Sequence, residues 1–207
     1  MKLGKLITFE GIDGSGKSTQ ILILAEKLIA AGNEVIVTRE PGGSPGAEEI
    51  RNMVLKGDKG RWSTETELLL FTAARRDHLE RVIEPAIAAG RHVLSDRYVD
   101  STRVYQGVGR GELRRKVDIL HTQMIGREAD LTFVIDIEPE VGLDRAVART
   151  GDEKRFESFG LELQDRLRRG FLDLARECSE RVVLVDGNRP KDKVAADIHS
   201  VIKEMPL

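Results

Sequence analysis

Short apolar runs alternate along the chain with longer segments in which apolar residues recur at helical spacing. Five runs have the length and composition of buried strands, at residues 6–9, 35–38, 92–96, 131–137 and 182–186. Three segments between them have helical spacing, at residues 17–31, 65–89 and 139–150. Strands that alternate with helices form parallel sheets with right-handed crossovers. The pattern therefore predicts an α/β fold with a single doubly wound parallel sheet flanked by helices.

Charged residues follow three of the predicted strands, at the point where each apolar run ends. They are Glu10, the pair Arg39 and Glu40, and the pair Asp96 and Arg97. Doubly wound sheets bind their ligands in a crevice outside the carboxyl ends of the strands. We therefore expect these side chains to meet in one crevice. The alternative is that they only solvate the edge of the sheet.

Composition excludes several classes of protein. Of the 207 residues 40% are hydrophobic, and 33 Lys and Arg against 35 Asp and Glu leave a net charge of −2. This balance gives no overall attraction to nucleic acid or to an anionic membrane. No apolar run approaches the ~20 residues that cross a bilayer. Because the sequence holds no repeat, low-complexity tract or linker, we expect one domain over residues 1–207.

The N-terminal residues and the cysteine content favour a cytoplasmic location. The chain begins with a polar stretch that leads directly into a strand, so we expect no signal peptide. Cys178 is the single cysteine and cannot form an internal disulfide, which indicates a reducing compartment. No cluster of Cys and His has the spacing of zinc ligands.

A glycine-rich loop lies between the first predicted strand and the first predicted helix. Residues 11–18 read Gly-Ile-Asp-Gly-Ser-Gly-Lys-Ser, which matches the phosphate-binding pattern G-x-x-x-x-G-K-[ST]. The glycines let backbone N–H groups surround phosphate oxygens, and the helix N-terminus adds positive potential. We expect Lys17 to reach the terminal phosphates and Ser18 to hold Mg²⁺. The alternative is a glycine-rich turn with a chance lysine.

The loop predicts nucleotide binding, and the rest of the chain narrows the reaction. The Asn-Lys-x-Asp string with which GTPases read guanine does not occur in the sequence. A chain of 207 residues scarcely accommodates the coupling segments of an ATP-driven motor or transporter. A small kinase with the P-loop NTPase fold is therefore the best fit.

Further motifs connect the chain with one kinase family. They are Phe-Glu-Gly before the loop, Thr-Arg-Glu-Pro-Gly-Gly at residues 38–43, Leu-Phe-Thr-Ala-Ala-Arg at 70–75, Asp-Arg-Tyr at 96–98 and Tyr-Gln-Gly at 105–107. With these motifs the chain resembles the thymidylate kinases over nearly its full length. The resemblance implies transfer of the γ-phosphoryl group of ATP to dTMP, with Mg²⁺, in a cytoplasmic homodimer. The alternatives are another nucleoside monophosphate or deoxynucleoside kinase, and a noncatalytic nucleotide-binding regulator.

Phe71 and Arg75 stand four residues apart and share one face of a helix. In this arrangement Phe71 can stack on a base while the guanidinium of Arg75 donates to a carbonyl at the edge of that base. In the family that base is thymine. The alternative is that Phe71 belongs to the core and Arg75 is a solvated neighbour.

The resemblance implies the other contacts of the acceptor. Arg39 and Arg97 grip the phosphate of dTMP, because each guanidinium can present paired donors to a dianion. The Asp13 carboxylate contacts the 3′-hydroxyl of the sugar. The full dTMP site implied in this way comprises Asp13, Arg39, Phe71, Arg75, Arg97, Ser101, Tyr105 and Gln106. Ser101 and Gln106 match positions near the base, and Tyr105 crowds the 2′ position, where a hydroxyl would clash. Val104 replaces the alanine that is common before this tyrosine.

The donor side includes a segment that we interpret as a lid, at residues 145–157. The interior of the phosphate-binding loop carries no basic residue, so the chain resembles the branch of the family in which a lid arginine supplies that charge. We expect Arg155 to do so and Arg149 to lie against the adenine. The implied ATP site is Gly11, Ile12, Asp13, Gly14, Ser15, Gly16, Lys17, Ser18, Thr19 and Arg149. The catalytic set is Lys17, Arg97, Arg155 and Asp13.

The metal is expected to lie between the donor phosphates and the strand ends. Ser18, Asp96 and Glu157 are the candidate ligands. Asp136 also ends an apolar run and is a rival of Asp96. Asp96 is preferred because Arg97 follows it.

Overall fold

The computed structural model describes residues 3–56, 60–109, 113–147 and 160–205. Within these residues a five-stranded, wholly parallel sheet has the order β2-β3-β1-β4-β5. Its strands are β1 (Leu6–Glu10), β2 (Val35–Arg39), β3 (His92–Asp96), β4 (Leu131–Asp136) and β5 (Val182–Asp186). The predicted α/β fold with a parallel sheet is confirmed, and each predicted strand is correct to within one residue at either end.

The α-helices cover both faces of the sheet. They are α1 (Lys17–Ala30), α2 (Pro45–Leu55), α3 (Thr64–His78), α4 (Glu84–Ala88), α5 (Val99–Val104), α6 (Arg114–Leu120), α7 (Pro139–Val147), α8 (Gly160–Glu177) and α9 (Lys191–Glu204). Wider π-helical turns continue α3, α5 and α6, at Leu79–Ile83, Tyr105–Gly109 and His121–Ile125. The predicted helix at residues 65–89 therefore consists of α3, a π-helical turn and α4.

The central strand β1 is buried along its whole length, and its side chains alternate between the two faces. Ile7 and Phe9 pack with apolar residues of α1 and α9 on one face. Leu6 packs on the other face with residues of α3, α4 and α6. Burial on both faces explains why the strand reads as an almost continuous apolar run.

Val104 is accommodated by a glycine on the neighbouring helix. Its side chain is 1% exposed and packs in a cluster with residues of α8. A Cβ atom at Gly170 of α8 would lie 3.0 Å from the Cγ1 atom of Val104. The valine that differs from the common alanine is thus packed against a position where α8 carries no side chain.

The strand order places the ends of β1 and β3 side by side. Phe9 pairs with Asp96 in the sheet, and Arg39 of β2 also pairs with Asp96. The order of strands along the chain reverses about β1, and ligands of open α/β sheets bind at such a point. Within the described residues no helix has the length and apolarity to span a membrane.

Candidate active site

A cleft of about 340 Å³ lies at the carboxyl edge of the sheet. It brings together predicted residues from six parts of the chain: Asp13, Gly14, Gly16, Lys17, Ser18, Arg39, Phe71, Arg75, Asp96, Arg97, Ser101, Tyr105 and Gln106. The alternative that the strand-end charges merely solvate the sheet does not fit this cleft. Arg149, Arg155 and Glu157 lie outside the described residues, as does most of the segment interpreted as a lid.

The phosphate-binding loop turns tightly between β1 and α1. Gly11 and Gly14 have φ angles of 132° and 79°, which residues with a side chain rarely adopt. Gly14 also approaches α7 so closely that a Cβ atom would lie 2.2 Å from the carbonyl oxygen of Gly142. Both positions therefore require glycine, and the loop leads directly into the N-terminus of α1.

The Lys17 ammonium group lies inside the curve of this loop. It donates to the carbonyl oxygens of Gly11 and Ile12 at 3.2 and 2.9 Å. Burial, together with the nearby Arg97 guanidinium, lowers the pKa of the Lys17 ammonium group to about 8. An anion beside Lys17 would offset that effect, because an opposite charge at short range favours the charged form of lysine.

Arg97 crosses from the end of β3 to the loop. Its Nη2 atom donates to Asp13 Oδ1 at 2.6 Å and to the Tyr105 hydroxyl at 3.2 Å, and its Nη1 atom donates to Gly11 O at 3.1 Å and to Ser101 Oγ at 2.9 Å. The guanidinium also lies over the Tyr105 ring, 5.0 Å from its centroid. These contacts hold the guanidinium in one orientation at the centre of the cleft.

Asp13 connects the loop to Arg97 and Tyr105. Besides the bond from Arg97, its carboxylate accepts a hydrogen bond from the Tyr105 hydroxyl at 3.2 Å. Burial alone would raise the pKa of this carboxyl, but Arg97 and then Lys17 hold it below its usual value. Asp13 is therefore ionised at neutral pH.

Ser18 and Asp96 form the oxygen-rich corner of the cleft. The Ser18 hydroxyl donates to Asp96 Oδ2 at 2.5 Å. A hydroxyl and a carboxylate suit Mg²⁺, which keeps most of its waters and takes few protein ligands. The described residues contain no group of three or more His, Cys, Asp or Glu that could hold a metal by themselves. This corner therefore fits a Mg²⁺ that arrives with a phosphate.

Asp136, the rival of Asp96, is committed to another partner. Its carboxylate accepts two hydrogen bonds from Arg168 of α8, at 2.7 and 2.9 Å. It does not line the cleft. The geometry thus favours Asp96 as the candidate ligand.

Phe71 and Arg75 of α3 also line the cleft. Phe71 is only half-buried and belongs to none of the apolar clusters of the described residues. Arg75 is 4% exposed and lies 5.2 Å from the centroid of the Tyr98 ring. The alternative of a core phenylalanine beside a solvated arginine is therefore wrong.

The Arg75 guanidinium is held by two neighbours. Its Nε atom donates to Glu40 Oε2 at 2.7 Å, and its Nη2 atom donates to Thr102 Oγ1 at 2.9 Å. The other oxygen of Glu40 lies 3.1 Å from Nδ1 of His78. Burial alone would raise the pKa of the Glu40 carboxyl, but Arg75 and then His78 lower it. Glu40 therefore stays ionised and fixes Arg75.

Gln106 lines the cleft and is buried. Its amide nitrogen donates to Glu67 Oε2 at 3.4 Å, and Glu67 is fully buried. The Gln106 side chain is thus held by a buried carboxyl group at the wall of the cleft.

Arg39 and Arg51 add positive charge to the side of the cleft formed by β2 and α2. Arg39 pairs with Glu48 at 3.2 Å and is about half exposed. Arg51 donates to the carbonyl oxygen of Pro41 at 2.6 Å and lines the cleft. The sequence reasoning missed Arg51, because it lies within no recognised motif and approaches the cleft only through the turn after β2. Pro41, Leu55, Tyr98 and Thr102 also line the cleft and were not predicted as site residues. Of the strand-end charges expected to meet in one crevice, Glu40 lines the cleft, but the expectation is wrong for Glu10, which is fully buried behind it.

Comparisons with known proteins agree on one family. The thymidylate kinase family profile matches residues 9–198. A thymidylate kinase of Ruegeria pomeroyi is 66% identical over 199 residues, which is 96% of this chain and 94% of the relative. One of Dinoroseobacter shibae is 65% identical over 195 residues, or 94% of each chain. The crystal structure of thymidylate kinase from Ehrlichia chaffeensis superposes with a TM-score of 0.79 at 33% identity, and covers 96% of this chain and 98% of its own. The chain therefore belongs to the thymidylate kinase family.

Proposed function

We propose that the protein transfers the γ-phosphoryl group of ATP to dTMP, giving ADP and dTDP. The observation that carries this proposal is the bond between Arg97 and Asp13, which joins the phosphate-binding loop to a pocket lined by Phe71 and Arg75. A donor nucleotide and an acceptor nucleotide can therefore bind next to each other in the same cleft. The names of the relatives support dTMP as the acceptor.

The donor binds to the loop. Backbone N–H groups of residues 11–19 and the N-terminus of α1 face its phosphates, and the Lys17 ammonium supplies a positive charge. When ATP binds, the Lys17 ammonium leaves the carbonyl oxygens of the loop and donates to phosphate oxygens instead. Hydrogen bonds to these charged oxygens are stronger than those to neutral carbonyls. Arg149 is proposed to lie against the adenine.

The acceptor binds at the other end of the cleft. Phe71 stacks on the thymine, Arg75 donates to a carbonyl of the base, and Ser101 and Gln106 lie beside it. Arg39, Arg51 and Arg97 face the phosphate, and Asp13 accepts from the 3′-hydroxyl. Tyr105 closes the space at the 2′ position and so favours a deoxyribose.

Ser18 and Asp96 are the residues that would hold Mg²⁺, with Glu157 as a further candidate. When bound with ATP, Mg²⁺ supplies charge that offsets the negative charge of the donor phosphates. Ser18 and Asp96 contribute by orienting a hydroxyl and a carboxylate oxygen toward the same corner of the cleft.

Transfer needs alignment rather than covalent catalysis by the protein. The attacking oxygen of the dTMP phosphate is already ionised at neutral pH, so no general base is required. Lys17, Arg97 and Arg155 stabilise the charge that spreads over the transferred group, and an arginine of this kind contributes about 10³ or more in rate. A lid at residues 145–157 would exclude water as a competing acceptor.

We also propose that the chain is one domain that acts as a cytoplasmic homodimer. The family resemblance supports the dimer, and light scattering at assay concentrations tests it, with twice the mass of the chain expected.

Purified protein assayed with ATP, Mg²⁺ and a panel of acceptors tests the proposed reaction. We expect kcat/KM for dTMP to exceed that for dCMP and AMP by at least about 100-fold, because the pocket pairs with a defined base edge. Faster turnover of dCMP or AMP would indicate another monophosphate kinase. Turnover of thymidine would indicate a deoxynucleoside kinase, and no ADP with any acceptor would indicate a regulator.

A further inference from the structure

Glu10 is a fully buried carboxylate at the end of β1 that does not line the cleft. Its Oε1 atom accepts hydrogen bonds from the backbone N–H groups of Tyr98 and Ser101, at 2.7 and 3.2 Å. Its Oε2 atom accepts from the Ser101 hydroxyl at 2.5 Å. Of these two partners, Ser101 is the one whose hydroxyl also bonds to Arg97.

The Ser101 hydroxyl lies between this carboxylate and the guanidinium of Arg97. It donates its proton to Glu10 and accepts from Arg97 Nη1 at 2.9 Å. A hydroxyl whose proton is taken by an anion must turn its lone pairs toward other donors. At a pH above the pKa of Glu10, the carboxylate is ionised and therefore makes the Ser101 oxygen an acceptor for Arg97.

The surroundings of Glu10 make its burial costly. Burial, reinforced by the Asp100 carboxylate, raises the pKa of Glu10 to about 7, while Arg97 acts in the opposite direction. The charge of Glu10 also acts on the Lys17 ammonium group and raises its pKa. A buried carboxyl that serves packing alone is replaceable by an apolar side chain without this cost.

We propose that Glu10 is a positioning residue for phosphoryl transfer, whose carboxylate fixes the polarity of the Ser101 hydroxyl and thereby holds the Arg97 guanidinium against the acceptor phosphate. This inference rests on the proposed dTMP kinase function. The competing explanation is that Glu10 only caps α5 through the two backbone N–H groups. In that case its loss affects the stability of the fold and not the behaviour of Arg97.

Glu10→Gln separates the two explanations. The amide oxygen of glutamine can still accept from the two backbone N–H groups, but its NH₂ group donates to Ser101 Oγ and leaves the hydroxyl proton without its acceptor. A hydrogen bond to a charged group contributes enough for about a tenfold effect on rate. We therefore expect Glu10→Gln to lower kcat/KM for dTMP about tenfold and to change the KM for ATP by less than about twofold.

A double-mutant cycle with Ser101→Ala tests the path of the effect. If Glu10 acts through Ser101, the double variant has the same kcat/KM as Ser101→Ala alone, because removal of the hydroxyl already breaks the path from Glu10 to Arg97. Effects that multiply to about 100-fold in the double variant overturn the proposal. So does a Glu10→Gln variant that loses thermal stability but keeps its kcat/KM.

Two further variants complete the experiment. Thr8→Val is the control, because Thr8 lies in β1 like Glu10 but does not contact Arg97. The substitution breaks the buried hydrogen bond of 2.7 Å between the hydroxyls of Thr8 and Thr132 of β4, and it should leave kcat/KM unchanged. If Glu10→Gln does not fold, Glu10→Asp keeps the charge and shortens the reach to Ser101. It should show the same fall, and an unchanged kcat/KM overturns the proposal. If the wild-type protein does not turn over dTMP, the proposed function is wrong. If the wild type is active and the Glu10 variants have the same kcat/KM as the wild type, only the inference about Glu10 is wrong.

Discussion

Arg97 has a backbone φ angle of 70°, a left-handed conformation that costs a residue with a side chain about 1 kcal/mol. In this conformation its N–H donates to the carbonyl oxygen of Phe9 at 3.0 Å, while the side chain turns back across the phosphate-binding loop. The backbone strain thus places the guanidinium between the phosphate-binding loop and the proposed acceptor site. Such strain persists where the surrounding contacts fix it, often at functional sites.

The role of Phe71 can be measured through its effect on acceptor binding. Phe71→Ala removes the ring but leaves the half-buried wall of the cleft, and stacking of a base on an aromatic ring contributes about 1–3 kcal/mol. We expect the KM for dTMP to rise about tenfold or more in steady-state assays, with little change in the KM for ATP. Phe71→Tyr retains the ring and should keep a KM near that of the wild type. An unchanged KM in Phe71→Ala would remove Phe71 from the acceptor site.

Glu10 gives the folded protein a distinctive dependence of stability on pH. Its pKa is about 7 in the folded state, against 4.5 for an unperturbed glutamate. Between these values the folded state binds more protons than the unfolded state, so the free energy of unfolding falls as the pH rises from about 4.5 to 7 and then levels off. Relative to Glu10→Gln, the wild type should lose about 2 kcal/mol between pH 5.5 and pH 8. Urea unfolding at both pH values checks this, and a difference that does not vary with pH contradicts it.

Among the individual residues of the site, those that lie in recognisable motifs could be predicted from the sequence. Lys17 is predictable from the phosphate-binding pattern itself, and the roles of Asp13 and Arg97 are implied by the resemblance of their motifs to those of the family. The partners that orient them were not predictable in the same way. His78 supports Arg75 through Glu40, which lies 38 residues earlier in the chain, and such a contact depends on how β2 and α3 pack.

Among the secondary-structure elements, α7 lies directly against the phosphate-binding loop, and the two touch through their backbones. A Cβ atom at Gly142 of α7 would lie 2.7 Å from the carbonyl oxygen of Asp13, and a Cβ atom at Gly14 of the loop would lie 2.2 Å from the carbonyl oxygen of Gly142. Two glycines facing each other let the helix lie directly against the loop. Any side chain at this contact must displace one element from the other.

Gly142→Ala tests whether this contact sets the shape of the loop. Alanine favours a helix over glycine by about 1 kcal/mol, so propensity alone predicts a harmless change. The close approach to Asp13 predicts instead that the loop shifts and that kcat/KM for ATP falls about fivefold, as about 1 kcal/mol of strain would produce. Glu140→Ala, at an exposed position of the same helix, is the matched control. Equal kinetics in the two variants would show that the contact does not shape the loop.

Strands were easier to predict than the form of the helices. The bounds of β1, β3 and β4 could be predicted to within one residue because these strands are buried almost along their whole length, so the apolar run ends where the burial ends. The outer strands β2 and β5 are only partly buried, but their apolar runs are also bounded by polar residues. The π-helical turn at Leu79–Ile83 leaves no comparable signal in the pattern of apolar residues. It precedes Pro85, which has no N–H group to continue the helical hydrogen bonds.

The whole molecule has a net charge of −2, but its cleft is lined by a lysine and several arginine side chains. Three arginines of the cleft are each held by a carboxylate, in the pairs Arg39–Glu48, Arg75–Glu40 and Arg97–Asp13. A paired guanidinium is already oriented and loses less side-chain freedom when a ligand binds. The composition could exclude a polyanion as partner, but it could not show that the positive charge is gathered and compensated at one edge of the sheet.

The most direct test of the proposed function follows the phosphoryl group itself. The protein is mixed with dTMP, Mg²⁺ and ATP labelled at the γ-phosphate, and the labelled products are separated after a single turnover. The account predicts that the label appears in dTDP, with one dTDP formed for each ADP. Release of the label as inorganic phosphate, or its transfer to a different acceptor in preference to dTMP, would contradict it.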